Sequence, residues 1–177
     1  HRYSFGCLFR YVLVFLDIKI HLTLHKRQRC PELMRRIGGE LMLRILRDGA
    51  HMYDSVKHYV LSPQSELSVF RHGLEKLGIS ILEEQMLMDE GKYYVILHAA
   101  PGSMHYEQEY EYRYGSDLIR KQDPVLREFL ERELAQGEEL LAHLSRMQTE
   151  GAQKRAESLR QELNETKEAY HALQGTD

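Results

Sequence analysis

One stretch of this chain, Leu61 to Ala99, constrains the fold more than any other. Its first part has apolar residues at the one-face spacing of a helix, which predicts a helix over Ser65 to Leu77. Gln64 or Ser65 can cap this helix, and Gly78 follows its last apolar residue, where a glycine commonly ends a helix. The stretch therefore contains one short amphipathic helix with strand-like sequence on both sides.

The strand-like segments are rich in β-branched, aromatic and other apolar residues. They are Val56 to Leu61, Ile79 to Met88 and Tyr93 to Leu97, and the last two flank a short turn, Asp89-Glu90-Gly91. Two such runs around a turn that contains glycine indicate a β-hairpin. The order strand, helix, strand, hairpin, strand matches the last third of a doubly wound α/β sheet whose final strand turns back antiparallel.

Two loops stand where such a sheet binds ligands. Gly38-Gly39 precedes a predicted helix over Glu40 to Leu46, and Ser62-Pro63-Gln64 follows the strand that ends at Leu61. Ligands of open α/β sheets bind outside the carboxyl ends of the strands. From the residues alone, the glycine pair is better interpreted as a plain helix start, and Ser62-Pro63-Gln64 as a loop that caps the next helix.

The last third of the chain predicts two helices. Asp123-Pro124 starts the first, which is expected to run to about Gln148, and Gly151 is expected to break the chain before the second. Apolar or small residues alternate spacings of four and three in both helices, which is a heptad pattern. The positions are Leu130, Leu134, Gly137, Leu141 and Leu144 in the first, and Ala152, Ala156, Leu159, Leu163, Thr166, Tyr170 and Leu173 in the second. We therefore predict an antiparallel helical coiled-coil hairpin.

Taken together, these features resemble one family. Gly38-Gly39-Glu40-Leu41, the Leu61-Ser62-Pro63-Gln64 loop, the Glu84 to Gly91 hairpin with Lys92-Tyr93-Tyr94, and the helical tail are similar to the bacterial tRNA adenine(22)-N1-methyltransferases. The resemblance covers about residues 38–173. It implies the C-terminal part of a Rossmann-like class I methyltransferase sheet followed by a helical coiled-coil domain, with residues 37–102 and 103–177 as the two domains.

The resemblance also implies chemistry. It makes the chain a tRNA adenine-N1 methyltransferase with S-adenosylmethionine as cofactor, tRNA as partner and a cytoplasmic location. It assigns Gly38 and Gly39 to the cofactor and the target base, and Ser62, Pro63 and Gln64 to the adenine. It raises the odds that Lys154, Arg155 and Arg160 contact tRNA, although mixed charge on a helix commonly marks only a solvated face.

Residues 1–36 differ from the rest in charge and pattern. They carry eight Lys/Arg against two Asp/Glu, whereas the remainder carries sixteen against twenty-five. The local pattern permits strands over Leu8 to Leu16 and Ile18 to Leu24. The family's acidic strand end and first glycine turn have no counterpart, and Arg36 replaces the first glycine of its Gly-Met-Gly-Gly turn. We expect this segment to be out-of-frame or foreign sequence, with a divergent genuine N-terminus as the alternative, and we expect weak or no binding of S-adenosylmethionine.

Several other classes of site are disfavoured by the sequence. Cys7 and Cys30 are too few for a disulfide framework or a metal site, and the ten histidines match no metal-ligand spacing. The apolar run Tyr11 to Leu16 is far shorter than a membrane span. The tyrosine-rich acidic segment Met104 to Tyr114 is predicted to be a linker packed against the sheet edge, since its acidity opposes phosphate. The oligomeric state stays open.

Two non-enzymatic functions remain as alternatives. The chain can be a non-catalytic adaptor whose coiled-coil arm binds RNA or protein, or a dimerisation module that uses open sheet edges and heptads. Binding of tRNA without methylation favours the adaptor, and concentration-dependent size favours the dimerisation module.

Overall fold

The computed structural model describes residues 11–13, 39–48, 56–147 and 149–175. The chain divides into two compact units, His1–His105 and Tyr106–Asp177. The first unit is a small sheet with helices, and the second is entirely helical among its described residues. The prediction for residues 1–36 falls outside the described residues, except for one strand.

Four strands form one sheet in the first unit. They are β1 (Tyr11–Leu13), β2 (His58–Leu61), β3 (Ile79–Asp89) and β4 (Lys92–Pro101), in the spatial order β1-β2-β4-β3. β1 pairs in parallel with β2, while β4 is antiparallel to both β2 and β3. The last strand therefore runs antiparallel to its neighbours, as the sequence predicted, and it lies between β2 and β3. β1 lies within the run predicted as a strand over Leu8 to Leu16.

Two helices, α1 (Gly39–Asp48) and α2 (Leu67–Lys76), belong to the same unit. The side chains of Leu61 and Leu97 face each other across β2 and β4 and are fully buried, as are Phe70 and Leu74 of α2. Alternate residues on β2 and β4 are buried in this way, which is the period of two expected for a sheet with one covered face. The apolar core fixes the carboxyl end of β2 beside the start of α2.

The turns follow the sequence signals closely, with one correction. Gly78 has a φ of 67° after α2, and Glu90 and Gly91 adopt positive φ in the β3–β4 turn, so both predicted chain reversals are confirmed. The predicted cap of α2 is wrong. The N-cap is Glu66, and it has no side-chain capping bond, because its backbone is left-handed with φ 57° and ψ 39°.

The second unit contains four helices: α3 (Glu109–Tyr114), α4 (Ser116–Arg120), α5 (Pro124–Ser145) and α6 (Glu150–Gln174). The side chain of Asp123 accepts hydrogen bonds from the N–H groups of Val125 and Leu126, which confirms the predicted start of α5. The prediction that Gly151 breaks the chain between the two helices is wrong. Thr149 caps α6, and Gly151 lies inside its first turn.

α5 and α6 pack antiparallel along the predicted heptad positions. The Tyr170 hydroxyl donates to Glu131 at 2.9 Å, whereas Lys167 pairs with Glu138 further along α5, so the two helices run in opposite directions. A Cβ at Gly137 would lie 2.4 Å from Leu163, so this glycine permits the close approach. The helical hairpin is therefore observed, while its supercoiling stays a prediction. At one predicted heptad position, Tyr170, the side chain is only half-buried, whereas its neighbour Ala169 is fully buried.

The segment Met104 to Tyr114 differs from the predicted linker. Met104 does lie at the sheet edge, since its sulfur accepts a hydrogen bond from Ile81 of β3 at 3.4 Å. Glu109–Tyr114 forms a helix instead, and Tyr112 and Tyr114 are buried in the second unit. The Tyr114 hydroxyl lies 2.8 Å from the hydroxyl of Thr166 on α6. Tyr112 and Tyr114 thus belong to a hydrophobic core, while Tyr106 and Tyr110 are half-buried.

The burial of Tyr114 leads us to expect that the unfolding free energy depends on pH in the alkaline range. Burial raises the pKa of Tyr114, while the hydrogen bond to Thr166 and the charge of Arg113 oppose that rise. A folded-state pKa above the unfolded value near 10 means that this tyrosine favours folding below pH 10 and loses that contribution as the pH rises further. We expect Tyr114→Phe to flatten the fall in unfolding free energy above pH 10, measured by urea denaturation with circular dichroism. An unchanged slope in the variant would contradict this expectation.

Candidate functional site

The candidate site lies where the loop after β2 meets the N-terminus of α1. The amide of Gly39 donates to the carbonyl of Ser65 at 3.0 Å, and the amide of Glu40 donates to the carboxylate of Glu66 at 3.4 Å. The start of α1 therefore contacts the loop after β2 at Ser65 and Glu66, directly after the Ser62-Pro63-Gln64 segment that was singled out in the sequence. Gly38 lies outside the described residues.

Gly39 is buried and its surroundings explain why it is glycine. A Cβ at this position would lie 2.9 Å from the carbonyl oxygen of Glu66, 2.9 Å from the Cβ of Phe70 and 3.1 Å from the carbonyl oxygen of Ser65. The close approach that glycine permits is thus an approach to the chain's own backbone. The N–H of Gly39 and the direction in which a Cβ would point are therefore both occupied by atoms of the chain itself.

The Ser62-Pro63-Gln64 loop follows β2 directly, as predicted. Pro63 is buried, while Ser62 and Gln64 are half-buried. The Gln64 side-chain nitrogen donates to the Ser62 carbonyl at 3.0 Å and lies 3.4 Å from the Ser62 hydroxyl. The loop therefore presents an amide and a hydroxyl that are fixed next to each other at the carboxyl edge of the sheet.

The β3–β4 hairpin extends past this loop. Leu61 pairs with Leu97, and Leu97 pairs with Glu84, so residues 85–96 of the hairpin continue beyond the end of β2. Tyr93 and Tyr94 lie in this extension, and both side chains are half-buried. They stand on the same edge of the sheet as the Ser62-Pro63-Gln64 loop.

A buried ion pair that sequence reasoning missed supports this edge. Nε of Arg71 on α2 donates to Glu84 of β3 at 2.8 Å, and both side chains are fully buried. Glu84 is in the row of strand partners that includes Leu97 and Leu61, so the ion pair ties α2 to the sheet beside the candidate loop. No sequence signal identified the pair, because Arg71 lies on an otherwise ordinary amphipathic helix.

The cations that were expected to contact tRNA lie on α6 and are engaged in ion pairs. Lys154 pairs with Glu150 at 2.7 Å, and Arg160 pairs with Glu157 at 3.0 Å. Arg155 pairs with Glu162 at 2.5 Å, and its hydrogen bond lowers the pKa of that carboxyl. Each positive charge on this surface therefore has a carboxylate next to it, which offsets its attraction for phosphate.

Other kinds of site have little support. Among the described residues, no group of three or more His, Cys, Asp or Glu side chains is placed to hold a metal ion. His58 and His98 do approach across β2 and β4, with 3.0 Å between Nδ1 and Nε2, but this is a pair rather than a cluster. None of the described helices is long and apolar enough to cross a membrane.

The family profile for tRNA (adenine(22)-N(1))-methyltransferases matches residues 35–168 of this chain. The chain belongs to this family. The match confirms the resemblance seen in the sequence and extends over β2 to β4, the candidate loops and most of the helical tail. A comparison with curated proteins found no match.

Solved structures give the same answer for the fold. A Streptococcus pneumoniae protein assigned as a tRNA (m1A22) methyltransferase, solved in complex with S-adenosyl-L-methionine, is 26% identical with a TM-score of 0.64, over 76% of this chain and 57% of that one. The m1A22 tRNA methyltransferase of B. subtilis is 22% identical with a TM-score of 0.62, over 76% and 60%. A family member from M. capricolum, solved with S-adenosyl-homocysteine, is 17% identical with a TM-score of 0.63, over 77% and 57%. At 22% and 17% identity the likeness is one of fold.

The fold class is therefore Rossmann-like, as predicted. The chain spans less than two thirds of the length of each of these structures. Their known ligands and substrates accordingly bear on this chain only through the residues that it shares with them.

Proposed function

We propose that this chain acts in the transfer of a methyl group from S-adenosylmethionine to N1 of an adenine in tRNA. The observation that carries the proposal is the family match over residues 35–168, which includes the glycine turn and the loop after β2. The contact between Gly39 and Ser65 supports it, because it brings these two elements to one edge of the sheet. Residues 37–102 and 103–177 would then be a methyltransferase part and a helical part, and the location would be cytoplasmic.

The proposed substrate fits the polar groups of the loop. N1 of adenine already carries a lone pair in the ring plane, so methylation there needs alignment more than a general base. N1 also lies on the Watson–Crick edge, so the base must be unpaired or turned out of its stack. Ser62 and Gln64 supply a hydroxyl and an amide, which can both donate and accept hydrogen bonds at an adenine edge. Pro63 is buried and holds these two side chains at the end of β2.

The methyl donor has a poor fit to the described residues. Gly39 was expected to hold it, but its N–H is bonded to Ser65 and its Cα side faces Glu66 and Phe70. Among the described residues, no strand with an acidic end leads through a glycine turn into a helix; the acidic end of β3 at Asp89 turns back into β4. We therefore keep the expectation that this chain by itself binds S-adenosylmethionine weakly or not at all, and no step of the transfer is assigned to its residues.

Calorimetry and a methylation assay test the proposal together. The full chain is titrated with S-adenosylmethionine and then incubated with tRNA and labelled methyl donor, and 1-methyladenosine is quantified by mass spectrometry. Formation of 1-methyladenosine that is lost on Pro63→Ala would support the proposed function. Micromolar binding of the donor would overturn the expectation of weak binding.

The closed environment of Gly39 favours one alternative, a non-catalytic adaptor that binds RNA or protein. Binding of tRNA without any methyl transfer would select the adaptor over the enzyme. The contacts of Lys154, Arg155 and Arg160 with RNA stay a prediction in either case.

A further inference from the structure

An open groove of about 860 Å³ lies between α1 and α2 in the first unit. Its floor is set by close helix packing, since a Cβ at Gly73 of α2 would lie 2.2 Å from the side chain of Leu43 on α1. Gly73 therefore permits the close approach of α1 and α2 that forms the floor of the groove. It is lined by one side of each helix from Glu40 to Asp48 and from Val69 to Lys76.

The groove begins at the candidate site. Glu40 is the residue after Gly39, whose amide is bonded to the loop after β2. Arg47 lies seven residues further along α1, which at 1.5 Å per residue corresponds to about 10 Å along the helix axis. A strand that places one base at the loop can therefore continue along this groove.

Charge is graded along the groove. Two carboxylates, those of Glu40 and Glu66, lie near the candidate loop, where Glu66 accepts a hydrogen bond from the Glu40 amide. At the other end the lining contains Arg44, Arg47 and Lys76, against the single carboxylate of Asp48. The acidic end disfavours phosphate where a neutral base is proposed to bind, and the basic end attracts it.

The cations of the groove differ from those of α6. Arg47 and Lys76 are exposed, and neither forms an ion pair with a residue in the described part of the chain. Arg44 pairs with Asp48 at 3.6 Å between Nε and Oδ2, which is longer than each of the three ion pairs on α6. Lys154, Arg155 and Arg160 each have a carboxylate at 2.5–3.0 Å.

We propose that the groove between α1 and α2 binds the phosphate backbone of the RNA strand that carries the target adenine. Arg47 and Lys76 supply the principal contacts, and Arg44 a further one. This inference rests on the proposed function for its choice of RNA, but it is a statement about binding and needs no methyl transfer.

The test is the salt dependence of tRNA binding. Each cation that neutralises a phosphate contributes about 0.7–0.9 to the slope of the logarithm of the binding constant against the logarithm of salt concentration. The double variant Arg47→Gln/Lys76→Gln should therefore lower the slope by about 1.4–1.8. Between 50 and 200 mM salt, its binding constant should fall roughly sevenfold to twelvefold less than that of the unmodified chain. Fluorescence anisotropy with labelled tRNA gives the slope, and circular dichroism checks the fold.

The matched control is Lys154→Gln/Arg160→Gln on α6, which removes the same charge from paired positions and should leave the slope nearly unchanged. A slope that falls in the control and not in the groove variant would overturn the proposal in favour of the α6 surface. Absence of tRNA binding by the unmodified chain would also overturn it. Binding with the expected slopes but without 1-methyladenosine would sustain the groove and reject the proposed methyl transfer.

Discussion

Replacing Glu84 by alanine is expected to destabilise the sheet unit by about 3–5 kcal/mol. The Glu84 carboxylate accepts a hydrogen bond from Arg71 at 2.8 Å, and both side chains are buried. Without the carboxylate, the buried guanidinium of Arg71 loses its ion-pair partner at 2.8 Å, and the cost of keeping that charge in the interior adds to the loss of the contact. The unfolding free energy is measured by urea denaturation with circular dichroism, and hydrogen exchange of the β3 and β4 amides locates the loss in this unit.

Glu83 provides the matched control for this prediction. It is exposed on the same strand, so Glu83→Ala should change the unfolding free energy by less than about 0.5 kcal/mol. The double change Arg71→Met/Glu84→Leu removes both charges and should recover most of the lost stability. If Glu83→Ala and Glu84→Ala lowered the unfolding free energy equally, the buried ion pair would contribute no more to stability than an exposed glutamate.

Replacing Gly39 by alanine is the second change with a large expected effect, about 1–3 kcal/mol. The new methyl group would lie 2.9 Å from the carbonyl oxygen of Glu66 and 2.9 Å from the Cβ of Phe70. Backbone atoms cannot move aside as the end of a flexible side chain can, so the start of α1 has to shift away from the loop after β2. We expect a lower urea midpoint together with faster hydrogen exchange at the Gly39 and Glu40 amides.

Gly151 supplies the comparison for the Gly39 variant. It also lies in the first turn of a helix, but a Cβ there would meet nothing within 4 Å. Gly151→Ala should therefore be neutral or stabilising, by up to about 1 kcal/mol, because alanine favours helix more than glycine does. A destabilisation of similar size in both variants would assign the effect to backbone freedom rather than to the contact with Glu66 and Phe70.

Local sequence signals were enough for most of the secondary structure. The hairpin turn at Glu90-Gly91, the end of α2 at Gly78 and the start of α5 at Asp123-Pro124 each depend on residues adjacent in the chain. Heptad spacing likewise identified α5 and α6, because their mutual packing repeats along each helix. The errors were also local. Gly151 was expected to separate the helices, whereas Thr149 supplies the cap and the glycine is tolerated in the first turn.

Contacts between distant residues were decided by tertiary structure alone. Gly39 fits the role of ligand contact in the sequence, yet its neighbours in space are Ser65, Glu66 and Phe70. Arg71 and Glu84 are ordinary charged residues in the sequence and form a fully buried pair in the fold. Arg47 and Lys76 line an open groove that forms only where α1 packs against α2. The sequence by itself determined the elements, their order and the family, because these follow from periodicity and turn chemistry. Which charges are buried and which glycines are closed off depends on the residues that packing brings together from distant parts of the chain, and no local pattern encodes that.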